Sequence, residues 1–143
     1  MTTLHRATGP ELTAADLYAI LRLRSDVFVV EQDCVYADID GLDLLPETRH
    51  LWLTSDAEVV ACLRVLAEPG GGSRIGRVVT AKSARGQGLA AQLMAAALEG
   101  ASGEFVLDAQ TYAQQLYARF GFVVEGEEFL EDGIPHVTMR RKG

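Results

Sequence analysis

The stretch from Ile75 to Ala109 constrains this chain most. It opens with a β-branched run, Ile75 to Ala81, and passes through Arg85-Gly86-Gln87-Gly88. A helical pattern follows from Gln87 to Glu99, with Leu89, Leu93, Ala96 and Ala97 on one face, and a second strand pattern closes it from Glu104 to Ala109. Strand, helix and strand at this spacing place the two strands parallel in one sheet, joined by a right-handed crossover. The rest of the chain has to be built around that unit.

Upstream, Thr13-Ala14-Ala15-Asp16 resembles a capping box, with a hydroxyl at the cap and a carboxylate three residues on. Leu17, Ile20, Leu21, Arg24, Val27 and Phe28 then share a helical face. Cys34 to Pro46 is rich in Asp and Gly, lacks periodicity and reads as a long loop of the kind that lines binding sites. His50 to Thr54 and Val59 to Leu66 are predicted antiparallel strands about the turn Ser55-Asp56-Ala57-Glu58, and Gly70-Gly71-Gly72-Ser73 is a hairpin loop. Downstream, Thr111 to Arg119 carries Ala113, Leu116, Tyr117 and Phe120 on one helical face. Val123 to Glu125 and Val137 to Arg140 are closing strands around Glu131-Asp132-Gly133. This order predicts an α/β (α+β) fold, one sheet flanked by helices, as a single domain over residues 1–143.

Composition removes several functions. A net charge of -7 lacks the cations that displace phosphate counterions, so a nucleic-acid partner is not expected. No apolar run approaches the roughly 20 residues needed to cross a bilayer, and Met1 to Arg6 shows no signal-peptide core, so a cytoplasmic protein without a membrane partner is expected. Cys34 and Cys62 match no ligand spacing and read as reduced thiols. No His, Cys or carboxylate cluster has metal spacing, so no metal is expected.

The segment from Arg85 to Ala90 has a specific physics. A helix start leaves four N–H groups unpaired and carries a positive partial charge. Gly86 and Gly88 let an anion reach the backbone, and Arg85 adds a fixed positive charge. On these residues alone, a glycine-eased turn beside a surface arginine remains an equal reading. No Lys-Ser or Lys-Thr follows Gly88, so this is not a P-loop, and no third glycine in step marks a dinucleotide fingerprint.

Val78-Val79-Thr80-Ala81-Lys82-Ser83-Ala84-Arg85-Gly86-Gln87-Gly88-Leu89-Ala90 resembles the acetyl-CoA motif of the GNAT family of N-acetyltransferases, with Arg85, Gly88 and Ala90 at the motif positions. Leu116 to Phe122 resembles the family's second motif. Val27 to Gln32, Asp38-Ile39-Asp40-Gly41, Ile75 to Val78 and Asp132 to His136 resemble its ElaA-like branch. Together these segments span about residue 17 to 140. The resemblance implies a mixed, mostly antiparallel sheet whose central parallel strands splay apart around the arm of acetyl-CoA.

It implies pyrophosphate held by backbone N–H groups from Gln87 to Ala90 beside Arg85 and Gly86, with Gly88 and Leu89 in the turn. The pantetheine arm would pair along Val78 to Thr80, and an N–H near Val79 would polarise the thioester carbonyl. Gln115, where the branch often has Asn, is a further cofactor contact. Tyr117 becomes the general acid, since a phenol near pKa ~10 can protonate a departing thiolate whose thiol lies near ~8.5 in fixed geometry. Position alone would sooner make Tyr117 core, and Tyr112 points to another face. The base is left among Glu31, Asp38, Asp40 and His136, with Glu31, Asp38 and Asp40 also as substrate contacts; a histidine suits the task because it titrates near neutral pH. His5 and His50 read as structural. The acidic residues from Glu125 to Asp132 form either a solvated loop or a field for an ammonium substrate. The implied reaction is acetyl transfer from acetyl-CoA to a small amine or a peptide amine, with a homodimer common among relatives. A non-catalytic acyl-CoA sensor is the competing reading.

Overall fold

The computed structural model describes residues 1–143. Seven strands form one sheet in the order β1-β2-β3-β4-β5-β7-β6. They are β1 (Thr3–Thr8), β2 (Arg49–Ser55), β3 (Glu58–Ala67), β4 (Ser73–Thr80), β5 (Phe105–Gln110), β6 (Val123–Glu131) and β7 (Ile134–Arg141). All neighbours pair antiparallel except β4 and β5, which are parallel. The crossover helix between them is α2 (Leu89–Leu98); α1 (Ala14–Arg24) and the short α3 (Gln114–Ala118) complete the helices.

Strand alternation divides the core. Leu51, Leu53, Ala61, Leu63, Phe105, Leu107 and Met139 pack under α2, where Leu93, Met94 and Ala97 are fully enclosed. Residues of opposite parity, Trp52, Cys62 and Val79, receive Ile20, Leu23 and Val27 from α1. The Thr13 hydroxyl accepts from the Asp16 N–H and caps α1, as the capping pattern predicts. Both two-residue hairpin turns put their central residues at positive φ: Asp56 and Ala57 at 51° and 67°, Asp132 and Gly133 at 52° and 78°.

The structure differs from the sequence reading in four places. Strand β1 has only Leu4 and Ala7 as apolar residues and so no alternating signature; it is an edge strand paired to β2 through its backbone. Beyond Arg24 the chain continues as a wide π-helical segment, Ser25–Glu31. Val27, Val29 and Val30 are poor α-helix formers, and the widened turn rotates Phe28 and Glu31 towards the cleft. The third helix is a 3-10 turn at Thr111–Ala113 followed by only five α-helical residues. Strands β6 and β7 extend further than expected, because Pro135 pairs with Leu130 of β6 beyond the end of β5 and need not donate towards it.

The long loop after Gln32 is fastened by charge. Arg24 of α1, 1% exposed, donates to Asp38 at 3.0 Å and to Asp43 at 2.7 Å. Arg64 of β3 donates to Asp40 and to Asp43, the latter at 3.1 Å. Arg77 of β4 reaches Asp38 at 2.8 Å and Asp40 at 3.3 Å. Three guanidinium groups thus meet three carboxylates with no charge left over. Burial alone would raise the Asp43 carboxyl, yet the hydrogen bond from Arg24 and the charge of Arg64 hold it below its ordinary value.

Asp43→Ala leaves two buried arginines facing each other and should lower the unfolding free energy by about 3–5 kcal/mol in urea titration, whereas Glu125→Ala, which breaks an exposed pair with Arg140, should cost less than about 1 kcal/mol. Chiefly through its hydrogen bond from Arg64, Asp40 titrates at about 2 in the folded protein against 3.8 for a free side chain. A depressed carboxyl stabilises the fold above its unfolded value and loses that contribution as pH falls, so circular dichroism should show stability dropping between about pH 4 and pH 2.

Candidate active site

Strands β4 and β5 pair at only two positions, Ser73 with Phe105 and Arg74 with Val106, and then diverge. The divergence coincides with a bulge. Strand β3 pairs Arg64 with Gly76 but Cys62 with Val79, so β4 carries one extra residue there. Arg77 sits in the bulge at φ +54°, a left-handed conformation that costs a non-glycine residue about 1 kcal/mol or more. Its side chain is held by Asp38 and Asp40 and lies over the Tyr36 ring at 5.5 Å, which offsets that strain. Past the bulge, the Ala81 N–H donates to Val60 of β3. Alternation then turns the Val79 N–H towards β3 as well, and those of Val78 and Thr80 into the split.

At the far end of the split stands the start of α2. Gly86 and Gly88 have φ of +82° and +73°, and a Cβ added at either would meet nothing within 4 Å. The backbone N–H groups from Gly86 to Ala91 donate to no protein acceptor. A helix start with unpaired donors and open space in front of it is suited to an anion.

Three adjoining cavities run from this point. One of about 200 Å³ is walled by Arg85, Gly86, Gly88, Leu89, Ala90 and Arg119. It shares Thr80, Arg85, Ala90 and Leu116 with a second, of about 450 Å³, that enters the split past Glu31, Val78 and Val79. The second shares Phe28, Gln32, Val78, Tyr112, Ala113 and Tyr117 with a third, of about 330 Å³, on the α1 side of the sheet. The third reaches Asp108, Gln110, Glu131 and His136, and the loop from Cys34 to Leu42 covers it.

Most of the expected cofactor residues come together here: Val78, Val79, Thr80, Arg85, Gly86, Gly88, Leu89, Ala90 and Tyr117 line the cavities, and Gln87 contributes its backbone N–H. Gln115 is exposed on α3, one turn before Arg119, and lines none of the three cavities. Tyr117 is 7% exposed and packs edge-on against Phe122. Burial, with a smaller contribution from Tyr112, raises its pKa well above the ordinary phenol value, so its hydroxyl keeps its proton.

The carboxylates fare differently. Glu31 accepts two hydrogen bonds from Arg85, at 2.5 and 2.7 Å, and this pairing holds its carboxyl below the usual range. Asp38 and Asp40, expected as substrate contacts or bases, are the fasteners of the loop; a carboxylate neutralised by two arginines has little basicity to offer. His136 stands on the wall of the third cavity, 8% exposed, with Phe129 stacked on its ring at 5.9 Å. His5 and His50 bond Thr54 and the Asp43 carbonyl away from the cleft. Sequence reasoning missed Phe28, Gln32, Gln110 and Tyr112, which meet around Tyr117; Tyr112 is 81% exposed yet borders both larger cavities.

A family model described as the acetyltransferase (GNAT) domain matches residues 24–142. The chain belongs to the GNAT acetyltransferase family. A relative from Mycobacterium tuberculosis is 51% identical, over 98% of this chain and 93% of its own. Protein ElaA of Escherichia coli is 42% identical over 92% of this chain and 91% of its own. Among solved structures, an acyl-CoA N-acyltransferase from Pseudomonas aeruginosa superposes with a TM-score of 0.93 at 44% identity, covering 99% of both chains. The crystal structure of Escherichia coli ElaA does so at 0.92 and 38%, covering 99% of this chain and all of that one. The fold and domain are those of acyl transfer from a CoA thioester. The residues present suit such a group: unpaired N–H donors and Arg85 for its phosphates, and a split strand edge for its amide arm.

Arg85 borders that site and is paired to Glu31. Glu31→Gln should therefore tighten CoA binding about 2–5-fold, the scale of one exposed ion pair, and calorimetry should show the gain shrinking as salt is raised.

Proposed function

We propose that this protein transfers an acetyl group from acetyl-CoA to a primary amine by direct attack within a ternary complex. One observation carries this reading: the three cavities form a single path from the anion site at α2, through the strand split, to a chamber on the other side, and Tyr117 stands where the last two meet. A path open at both ends suits a donor and an acceptor that approach from opposite sides and meet without a covalent enzyme adduct.

Acetyl-CoA bound along the split supplies the acyl group as an activated thioester. The chain supplies the rest. The N–H groups of Val78 and Thr80 stand along the split as donors for a carbonyl oxygen that gains charge. His136 donates Nδ1–H to the Ile134 carbonyl at 2.7 Å, because a carbonyl oxygen can only accept. In the neutral imidazole this tautomer leaves the Nε2 lone pair free; Nε2 makes no hydrogen bond within the protein, and His136 lines the chamber. It takes one proton from the incoming ammonium and passes it to solvent. Tyr117 gives its hydroxyl proton to the sulfur as the C–S bond breaks, and regains one from the nitrogen as the N–C bond forms. The balance is one amide, one thiol and one released proton. Glu31 shapes the Arg85 end of the cleft in this scheme, and Asp38 and Asp40 hold its wall.

Tyr117→Phe should bind acetyl-CoA as wild type does and lose about 10²-fold in turnover, read as thiol release across an amine panel. Unchanged turnover would remove Tyr117 from the chemistry. Binding of acetyl-CoA without thiol release for any amine would favour a sensor of acyl-CoA instead.

A further inference from the structure

We infer that the acceptor amine also carries a carboxylate, and that Arg77 receives it, beside Arg64, on the β3–β4 wall of the third cavity. This rests on the N-acyl transfer reading above and names its substrate class.

The carrying feature is a pair of guanidinium groups held from one side and left with unused donors on the other. The planar fork of Arg77 turns one edge to the covering loop. Nε lies 2.8 Å from Asp38 Oδ1, and Nη2 donates to the Asp38 carbonyl at 3.1 Å and to Asp40 at 3.3 Å. Nη1, on the opposite edge, makes no hydrogen bond within the protein and is not enclosed by it. Arg64 is spent at its other end, where Nη1 donates to Asp40 and Asp43 and Nη2 to Asp40. Its Nε–H has no acceptor, although the residue is only 4% exposed. Both arginines line the cavity, whereas Asp38, Asp40 and Asp43, which hold them, do not. A guanidinium keeps all its protons, so these donors are present at any working pH. Such a donor is met by a ligand oxygen or by an ordered water, and a water standing there is what a carboxylate oxygen displaces.

Gly76 keeps the space open. It pairs directly with Arg64 across β3 and β4 and immediately precedes Arg77. Directly opposite residues share a face, so a side chain on Gly76 would stand beside Arg64 on the cavity wall. Its φ lies outside the left-handed region, and a Cβ there would meet nothing within 4 Å. Neither backbone conformation nor protein packing asks for glycine at this strand position, where glycine costs stability. Room kept next to two arginines is room for the group they bind.

Position narrows the class to α-amino acids. Arg77 adjoins Val78, whose N–H faces the split that holds the thioester in the proposed reaction. A carboxylate on Arg77 therefore sits close to the reacting amine, as it does when two bonds separate nitrogen from carboxyl carbon. The opposing charges do not obstruct it. Asp108 is occupied by Arg74 and Thr138, and Glu131 and Asp132 stand at the β6–β7 turn, with β5 and β7 between them and β4.

The test is acetyl-CoA-dependent thiol release by the full chain with phenylalanine, phenylalaninamide and 2-phenylethylamine, and with norleucine against pentylamine. The carboxylate-bearing member of each set should have kcat/KM at least about 10-fold higher, since its analogues leave the site's donors unpaired. Equal or reversed preference overturns the inference and leaves water as the partner of these donors. Arg77→Lys should raise KM for phenylalanine about 10-fold, with KM for 2-phenylethylamine and for acetyl-CoA within about twofold. A rise common to all three, or none, overturns the role of Arg77. Gly76→Ala adds one methyl in open space and keeps the arginine network; it should raise KM for phenylalanine selectively, by about 5-fold, and an unchanged KM overturns the placement of the carboxylate. Thiol release by wild type with any acceptor upholds the transfer reading independently, and release with none overturns both.

Discussion

Two parallel strands that pair for two residues and then part are the constraint on which this molecule turns. A sheet normally uses every N–H and C=O along its strands, and an unpaired edge inside a domain must be satisfied by something. Here β4 and β5 meet only at Ser73–Phe105 and Arg74–Val106. The bulge at Arg77 bends β4 away, and a cavity lies in the gap it opens. The crossover helix α2 then begins at the wide end of the gap, so its unpaired N–H groups face the same space. Strand edge, helix start and bulge are three consequences of one chain path.

The arginine–aspartate network is what makes the bulge affordable. Arg77 adopts a conformation that its Cβ disfavours, in the middle of a strand. Its guanidinium is tied to Asp38 and Asp40, and those are tied in turn to Arg24 and Arg64. One network therefore fixes the strained strand, the first helix and the covering loop relative to one another. Buried ion pairs are weak sources of net stability, but they fix geometry strongly, since any misplacement leaves a charge unpaired in a poorly solvating interior.

Legibility in the sequence followed how local each signal was. The Thr13 cap, the two tight hairpin turns and the crossover unit were all readable, because each depends on residues within a few positions of one another. The glycine turn was readable for the same reason, since Gly86 and Gly88 need no distant partner to present their N–H groups. The readings that shifted involve partners far along the chain. Asp38 and Asp40 looked like free carboxylates until Arg24, Arg64 and Arg77 arrived from three different elements. Glu31 meets Arg85 from 54 residues away. Strand β1 escaped notice because an edge strand can be held by its backbone alone.

By itself the sequence determined most element types, the parallel crossover and the glycine turn at Gly86 and Gly88, since short-range sterics and periodicity encode them, and its motifs carried the resemblance to the family. Only the tertiary structure decided which charges are free. That outcome depends on distances between residues far apart in the chain, and the strength of a Coulomb interaction in a buried site changes steeply over a few ångströms. It neutralised Asp38 and Asp40 and set Glu31 on Arg85.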